Sequence, residues 1–247
     1  MRLSQAWIVA SKDFATFTKK KNIIYSTFVL PFVVSIGLPG VIWYAMHKSG
    51  GSISPPELTI LLPALTFFFM VIAGLIPTTI ASYSMVGEKV EKSIEPLLAT
   101  PTTDGEVLLG KGVAAFLPPM GAILAASGVY MFLMDVFTHG VLGTYYFPNW
   151  NDAVLLFLMV PLAVVMSVEW NVFVSSRVSD VRISQQVGML LVLPLGGTYV
   201  AGELGIVPLG DVNTSLYIAG ILAVIDLLLL YVVRVTFQRD AILTKWK

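Results

Sequence analysis

Six stretches of the chain stay apolar over the length a helix needs to cross a lipid bilayer: roughly Ile23–Met46, Leu58–Met85, Gly112–Phe137, Ala153–Val174, Val187–Gly202 and Thr214–Phe237. About 20 residues suffice for such a crossing. In hydrocarbon every backbone N–H and C=O must be satisfied inside the protein, which leaves only helices and closed barrels. A barrel would show repeated ten-residue alternation of apolar and polar residues, and this sequence has none. The predicted fold is therefore all-α: one polytopic membrane domain over residues 1–247 with six transmembrane helices. The fifth run is the hardest to bound, because it continues past Glu203 to Gly210. A short span followed by a partly inserted hairpin at the outer face reads the same way.

Charge sharpens this picture. Only 12% of the 247 residues are charged, against about 25% in a soluble domain, too few to cover a water-facing surface. All but one of the 15 basic residues fall in alternate connections. These are the N-terminal segment (Arg2, Lys12, Lys19, Lys20, Lys21), the second–third loop (Lys89, Lys92, Lys111), the fourth–fifth loop (Arg177, Arg182) and the C-terminal end (Arg234, Arg239, Lys245, Lys247). The other three connections hold only Lys48. By the positive-inside bias both termini are expected in the cytoplasm, and the chain in the cell membrane.

The start MRLSQAWIVASKDF lacks the continuous apolar core of a signal peptide. Instead Leu3, Trp7, Ala10, Phe14 and Phe17 recur at helical spacing, with Arg2, Lys12, Asp13 and Lys19 away from that stripe. Residues 1–22 are accordingly expected to lie in the headgroup layer as an interfacial helix; a soluble helix packed on a partner is the alternative. Tyr145-Tyr146-Phe147 and Trp150 read as an aromatic belt. Gly37 to Gly40, Pro63, Gly74 with Pro77, Pro118-Pro119, Pro161 and Pro194 to Gly197 interrupt the spans and are expected to leave kinks. With no cysteine, disulfides, thiolate metal sites and thiol catalysis are excluded, and His47 and His139 are read as solvated loop residues. No metal site and no nucleic-acid partner are expected.

The longest cytoplasmic connection runs over residues 87–111. The second span is expected to overrun the membrane as a charged helix supported by the Glu88–Lys92 pair at i, i+4. Pro96 disturbs that helix, and the segment up to Pro101 presents Leu97 and Leu98 as a small apolar knob. Thr103 and Glu106 have the spacing of a capping box, so a new helix starts there and runs into the third span. An apolar knob on a polar loop suggests a groove on a partner.

Gly87-Glu88-Lys89, Ile94-Glu95, Leu97-Leu98, Thr100-Pro101, Glu106 and Leu108-Leu109-Gly110-Lys111 together resemble the loop of the permease subunits of ABC-2 type transporters. Val90 and Lys92-Ser93 depart from that family's usual residues. The resemblance implies that the loop is a coupling helix docking on a separate ATP-binding subunit, with Glu88, Glu91, Glu95, Leu97, Leu98, Thr100 and Pro101 as its contacts. It implies a dimer of permease halves, either two copies or a copy with a paralogue, on two ATPases that hold ATP and magnesium. It also implies short re-entrant helices before the sixth span, where Tyr199–Gly210 would fit. The chain itself would carry no ATPase site, would not be an enzyme, and would form the translocation path of an exporter among membrane lipid.

Three other features bear on this reading. Gly105 to Lys111 satisfies most of a phosphate-loop pattern, but Gly112 stands where the magnesium-binding hydroxyl belongs and no buried strand precedes it. Asp226 near the middle of the sixth span and Glu169 in the fourth are candidates for an intramembrane polar path. For Asp226 the alternative is a protonated or hydrogen-bonded packing residue, and for Glu169 a position near the interface. A stand-alone ion-coupled secondary carrier using both acids is the second functional reading, although no internal repeat supports it. A membrane enzyme comes third, lacking a cluster of acids, histidines or nucleophiles.

Overall fold

The computed structural model describes residues 2–48, 53–87, 102–178 and 180–236. Among them the secondary structure is helical throughout: α1 (Leu3–Phe17), α2 (Lys21–Lys48), α3 (Pro55–Ser82), α4 (Asp104–Leu142), α5 (Trp150–Arg177), α6 (Val181–Met189), α7 (Val192–Glu203) and α8 (Val212–Thr236). Six helical segments are long and apolar enough to cross a membrane, α6 and α7 counting together as one, and the chain is a multi-pass membrane protein.

α3 is the centre of the bundle. Of its most apolar stretch 67% is buried, against 22% for α2 and for α8 and 17% for the α6–α7 pair. It packs on α5, α4, α7, α6 and α2, with Phe67, Phe69, Met70, Ile72 and Ile80 fully enclosed. The peripheral helices turn Phe28, Val33, Trp43, Ile221 and Leu228 outward instead. That inversion of the soluble pattern places lipid as the surrounding solvent. Leu195 of α7 packs where a methyl at Gly74 would come within 2.5 Å, so the glycine sets how closely α7 approaches the core.

α4 has 39 residues, and at about 1.5 Å per residue it is close to twice the thickness of a hydrocarbon layer. It starts as the sequence predicts. The Thr103 hydroxyl accepts from Glu106 N–H while the Glu106 carboxylate accepts from Thr103 N–H, a complete capping box. It ends on Gly143, whose φ of 70° suits the left-handed cap that glycine adopts freely.

The predicted interruptions resolve unevenly. Pro31 and Pro39 sit inside α2, Pro63 and Pro77 inside α3, and Pro118-Pro119 inside α4, each within a continuous helix. Local widening to π geometry occurs at Tyr83–Gly87 and at Leu155–Met159, the second of these directly before Val160-Pro161. The fifth span is broken at Leu190-Leu191 into α6 and α7. The expected re-entrant hairpin over Tyr199–Gly210 does not form. α7 continues to Glu203, and a tight turn through Gly205 leads into α8. Buried Leu209 packs directly on Gly202, so the turn after α7 folds back against the end of that helix.

Three further expectations change. The buried face of α1 is Ala6, Val9, Ala10, Asp13 and Phe17, set against α4, so the predicted apolar stripe is rotated and Asp13 is inside. Leu3, Trp7 and Ile8 are exposed on its other side. Phe147, read as a belt residue, is buried against Tyr130, whereas Tyr145 and Trp150 stay exposed. His47 and His139 are exposed, as expected, but in the last turns of α2 and α4 and not in loops, beside Trp43 and Tyr145.

Candidate functional site

The two roots of the connection between α3 and α4 approach one another at the basic end of the bundle through Ser84 and Lys111. Residue 87 closes the π turn after α3, and α4 begins at Asp104. Between these roots sits a buried ionic cluster. Lys111 is only 1% exposed, and its Nζ donates to the Ser84 carbonyl at 2.8 Å and to Ser84 Oγ at 3.3 Å, and pairs with Asp13 Oδ2 at 3.4 Å. Ser84 Oγ donates to the same Asp13 oxygen at 2.8 Å. One carboxylate, one ammonium and one hydroxyl therefore join α1, the end of α3 and the first turns of α4.

Backbone approach reinforces the clamp. A methyl on Gly110 would stand 2.5 Å from the Ala6 carbonyl and 2.7 Å from Val9 Cβ, so only glycine lets α1 lie this close to α4. The backbone N–H of Arg2 donates to the Glu106 carboxylate at 2.6 Å, tying the start of α1 to the capping box. Gly105 to Lys111 is thus helix, with its lysine consumed inside the protein; phosphate-loop geometry is absent from it.

A second polar locus lies deeper. Asp226 on α8 is 7% exposed, and both of its carboxylate oxygens, like Oε2 of Glu169 on α5, lack a hydrogen-bond partner among the described residues. α5 and α8 pack together, and Glu169 lies within the electrostatic reach of both Asp226 and Arg234. Glu169 and Arg234 also line a groove of about 910 Å³ whose other walls include Asp104, Leu108, Phe116 and Val168. Arg234, one of the basic residues of the C-terminal end, lies in α8 two turns beyond Asp226.

Other polar side chains serve packing. Asn171 donates to the Ser167 carbonyl at 2.7 Å and to Thr78 Oγ1 at 3.2 Å, and accepts from Ser82; Ser184 donates to Ser82 at 3.0 Å. This seam binds α3, α5 and α6, as polar residues do between membrane helices. At the opposite end Asp135 accepts from Tyr146 N–H and Phe147 N–H, and Asn151 links Ser215 to the Leu209 carbonyl. Burial, and secondly the Asp152 carboxylate, push the Tyr146 hydroxyl above the usual phenol range.

Of the predicted contacts, Glu88, Glu91, Glu95, Leu97, Leu98, Thr100 and Pro101 lie outside the described residues. The structure brings together Glu169 and Asp226, and it brings Gly110 and Lys111 of the motif to the N-terminal helix. Asp13 and Ser84 were missed. The signal available for Asp13 was its place at i+3 from Ala10, an acid on a face of small residues; Ser84 carried none. No protein-family model matches the chain, and no curated protein matches it.

Proposed function

We propose that this chain is the membrane-spanning permease subunit of an ATP-binding-cassette exporter of the ABC-2 type, forming the translocation path and performing no covalent chemistry. ATP and magnesium belong to a separate ATPase subunit, and a second copy or a related permease completes the assembly. In this reading the basic end and both termini face the cytoplasm of the cell membrane, and the exposed Leu3, Trp7 and Ile8 of α1 enter the headgroup layer. One observation carries the reading. Both roots of the segment that resembles a coupling loop are clamped to each other and to α1 by Asp13, Ser84, Lys111 and Gly110. A push delivered to a loop mounted this way moves α3 and α4 directly, which coupling to an ATPase requires.

Affinity purification of the tagged chain from its native host tests this. A soluble Walker-type ATPase should co-purify with vanadate-sensitive activity, and Leu97→Asp with Leu98→Asp should detach it while the chain stays folded. Association unchanged in that variant removes the coupling role from the loop. A second reading, an ion-coupled secondary carrier, is favoured by the buried, unpartnered carboxylate oxygens of Glu169 and Asp226 on the packed helices α5 and α8. It requires the purified chain alone to move solute along an ion gradient in proteoliposomes, and Asp226→Asn with Glu169→Gln to abolish that movement.

A further inference from the structure

The groove of about 910 Å³ runs over α5 between α4 and α8, both of which pack on α5. Its walls are apolar along most of their length, with Phe116 and Leu117 from α4, Val165 and Val168 from α5, and Leu230 and Val233 from α8. Leu109 and Leu117 line it and are at the same time exposed, so the groove opens to the surroundings of α4. A mostly apolar cleft of this size with a few polar groups is the usual form of a site for a small organic molecule.

The polar groups are unequal. Thr103, Asp104 and Arg234 lie at the basic end, where α4 starts and α8 ends. The Thr103 hydroxyl is committed to the capping box, and Asp104 sits in the first turn of its own helix, where the dipole offsets its charge. Glu169 stands two turns before the end of α5 at Arg177, among the apolar walls. Its buried Oε2 has no hydrogen-bond partner among the described residues, so Arg234 does not close on that oxygen. Asp226 on the adjoining α8 presents two more oxygens in the same condition.

Carboxylate oxygens in apolar surroundings cost free energy unless a donor or a positive charge meets them. Asp226 and Arg234 both lie within electrostatic reach of Glu169, and the ionised trio carries one unbalanced negative charge. An anion or a zwitterion bound there would leave that charge unbalanced. A neutral apolar molecule would fill the groove without meeting the oxygens. Only a cation with an apolar body answers both the walls and the carboxylate. We propose that the groove binds a lipophilic monovalent cation, its charge at Glu169 and its apolar body between Phe116 of α4 and Leu230 of α8. The inference rests on neither functional reading, because such binding is a property of this chain measured without an ATPase and without an ion gradient.

Tetraphenylphosphonium is the probe, and tetraphenylborate supplies the same shape with the opposite charge. Equilibrium dialysis of the purified protein in neutral detergent, corrected with protein-free micelles, gives both isotherms. Tetraphenylphosphonium should bind saturably and at least tenfold more tightly than tetraphenylborate. Glu169→Gln should weaken phosphonium binding at least tenfold and Phe116→Ala at least threefold. Asp211→Asn, at an exposed acid outside the groove, should leave it unchanged. Equal affinity for the two ions overturns the site, as does an affinity within twofold of native in Glu169→Gln or an unchanged one in Phe116→Ala. A loss in Asp211→Asn matching that in Glu169→Gln reduces the preference to overall charge and overturns it too. Should Glu169→Gln fail to fold, Leu109→Trp, which fills the groove from an exposed position, must weaken phosphonium binding at least threefold, and unchanged affinity there overturns it as well.

Discussion

Replacing Lys111 by Met removes an ammonium while leaving most of the apolar stem volume in place. In the native protein that ammonium is 1% exposed and the Asp13 side chain 5% exposed, so water screens neither. The variant leaves the Asp13 carboxylate buried with its Ser84 hydrogen bond but without its counter-charge. Breaking a buried pair from one side costs about 3–5 kcal/mol. The retained Ser84 donation places this case near the low end, about 3 kcal/mol. Asp13→Asn removes the opposite charge of the pair instead, leaving the ammonium its Ser84 acceptors, and should cost a similar amount. The double variant carries neither charge of this pair and should lie within about 1 kcal/mol of the native protein, since removing both charges of such a pair is often neutral. The cycle is therefore strongly non-additive. Equilibrium unfolding of the four proteins in mixed dodecylmaltoside–dodecylsulfate micelles, followed by tryptophan fluorescence, measures it. Single-variant losses that add to the double-variant loss within about 0.5 kcal/mol would show that the two charges do not act on each other. Hydrogen exchange supplies a second reading, because α1 should lose protection in Lys111→Met while α3 does not.

Gly110→Ala should release α1 from α4, because the clash is with the Ala6 carbonyl and a backbone atom cannot swing aside; the loss is about 1–3 kcal/mol, read by limited proteolysis of α1. Thr103→Ala removes the capping hydroxyl from the start of α4 and should cost about 1 kcal/mol, with exchange increased only in its first turn. Asn171→Ala should destabilise by about 1–2 kcal/mol through the partners it strands. Gly188→Ala should do at least as much harm, since its methyl would fall on the Asn171 amide oxygen. Thermal unfolding of the two variants in one detergent decides that order.

How much of this was legible in the chain follows from the range of the forces involved. The six apolar runs, the capping box at Thr103 and the absence of strands depend on contiguous residues and on a solvent that forbids unpaired backbone. The sequence by itself therefore determined the class of fold, the start of α4 and the alternation of basic connections. It did not determine which face of α1 is buried. Leu3, Trp7 and Phe14 make the more apolar stripe, yet small Ala6 and Ala10 face α4, because close helix approach in lipid rewards small residues over large ones. The fifth span was similarly underdetermined: its break at Leu190-Leu191 and the packing of Leu209 on Gly202 depend on contacts between separate helices. Lys111 was read as a loop charge because it borders an apolar run. The tertiary structure placed it inside, since a charge can stay buried only where distant residues supply its partners. For Lys111 these come from α1 and the end of α3. Such pairings span many tens of residues, and no local pattern encodes them.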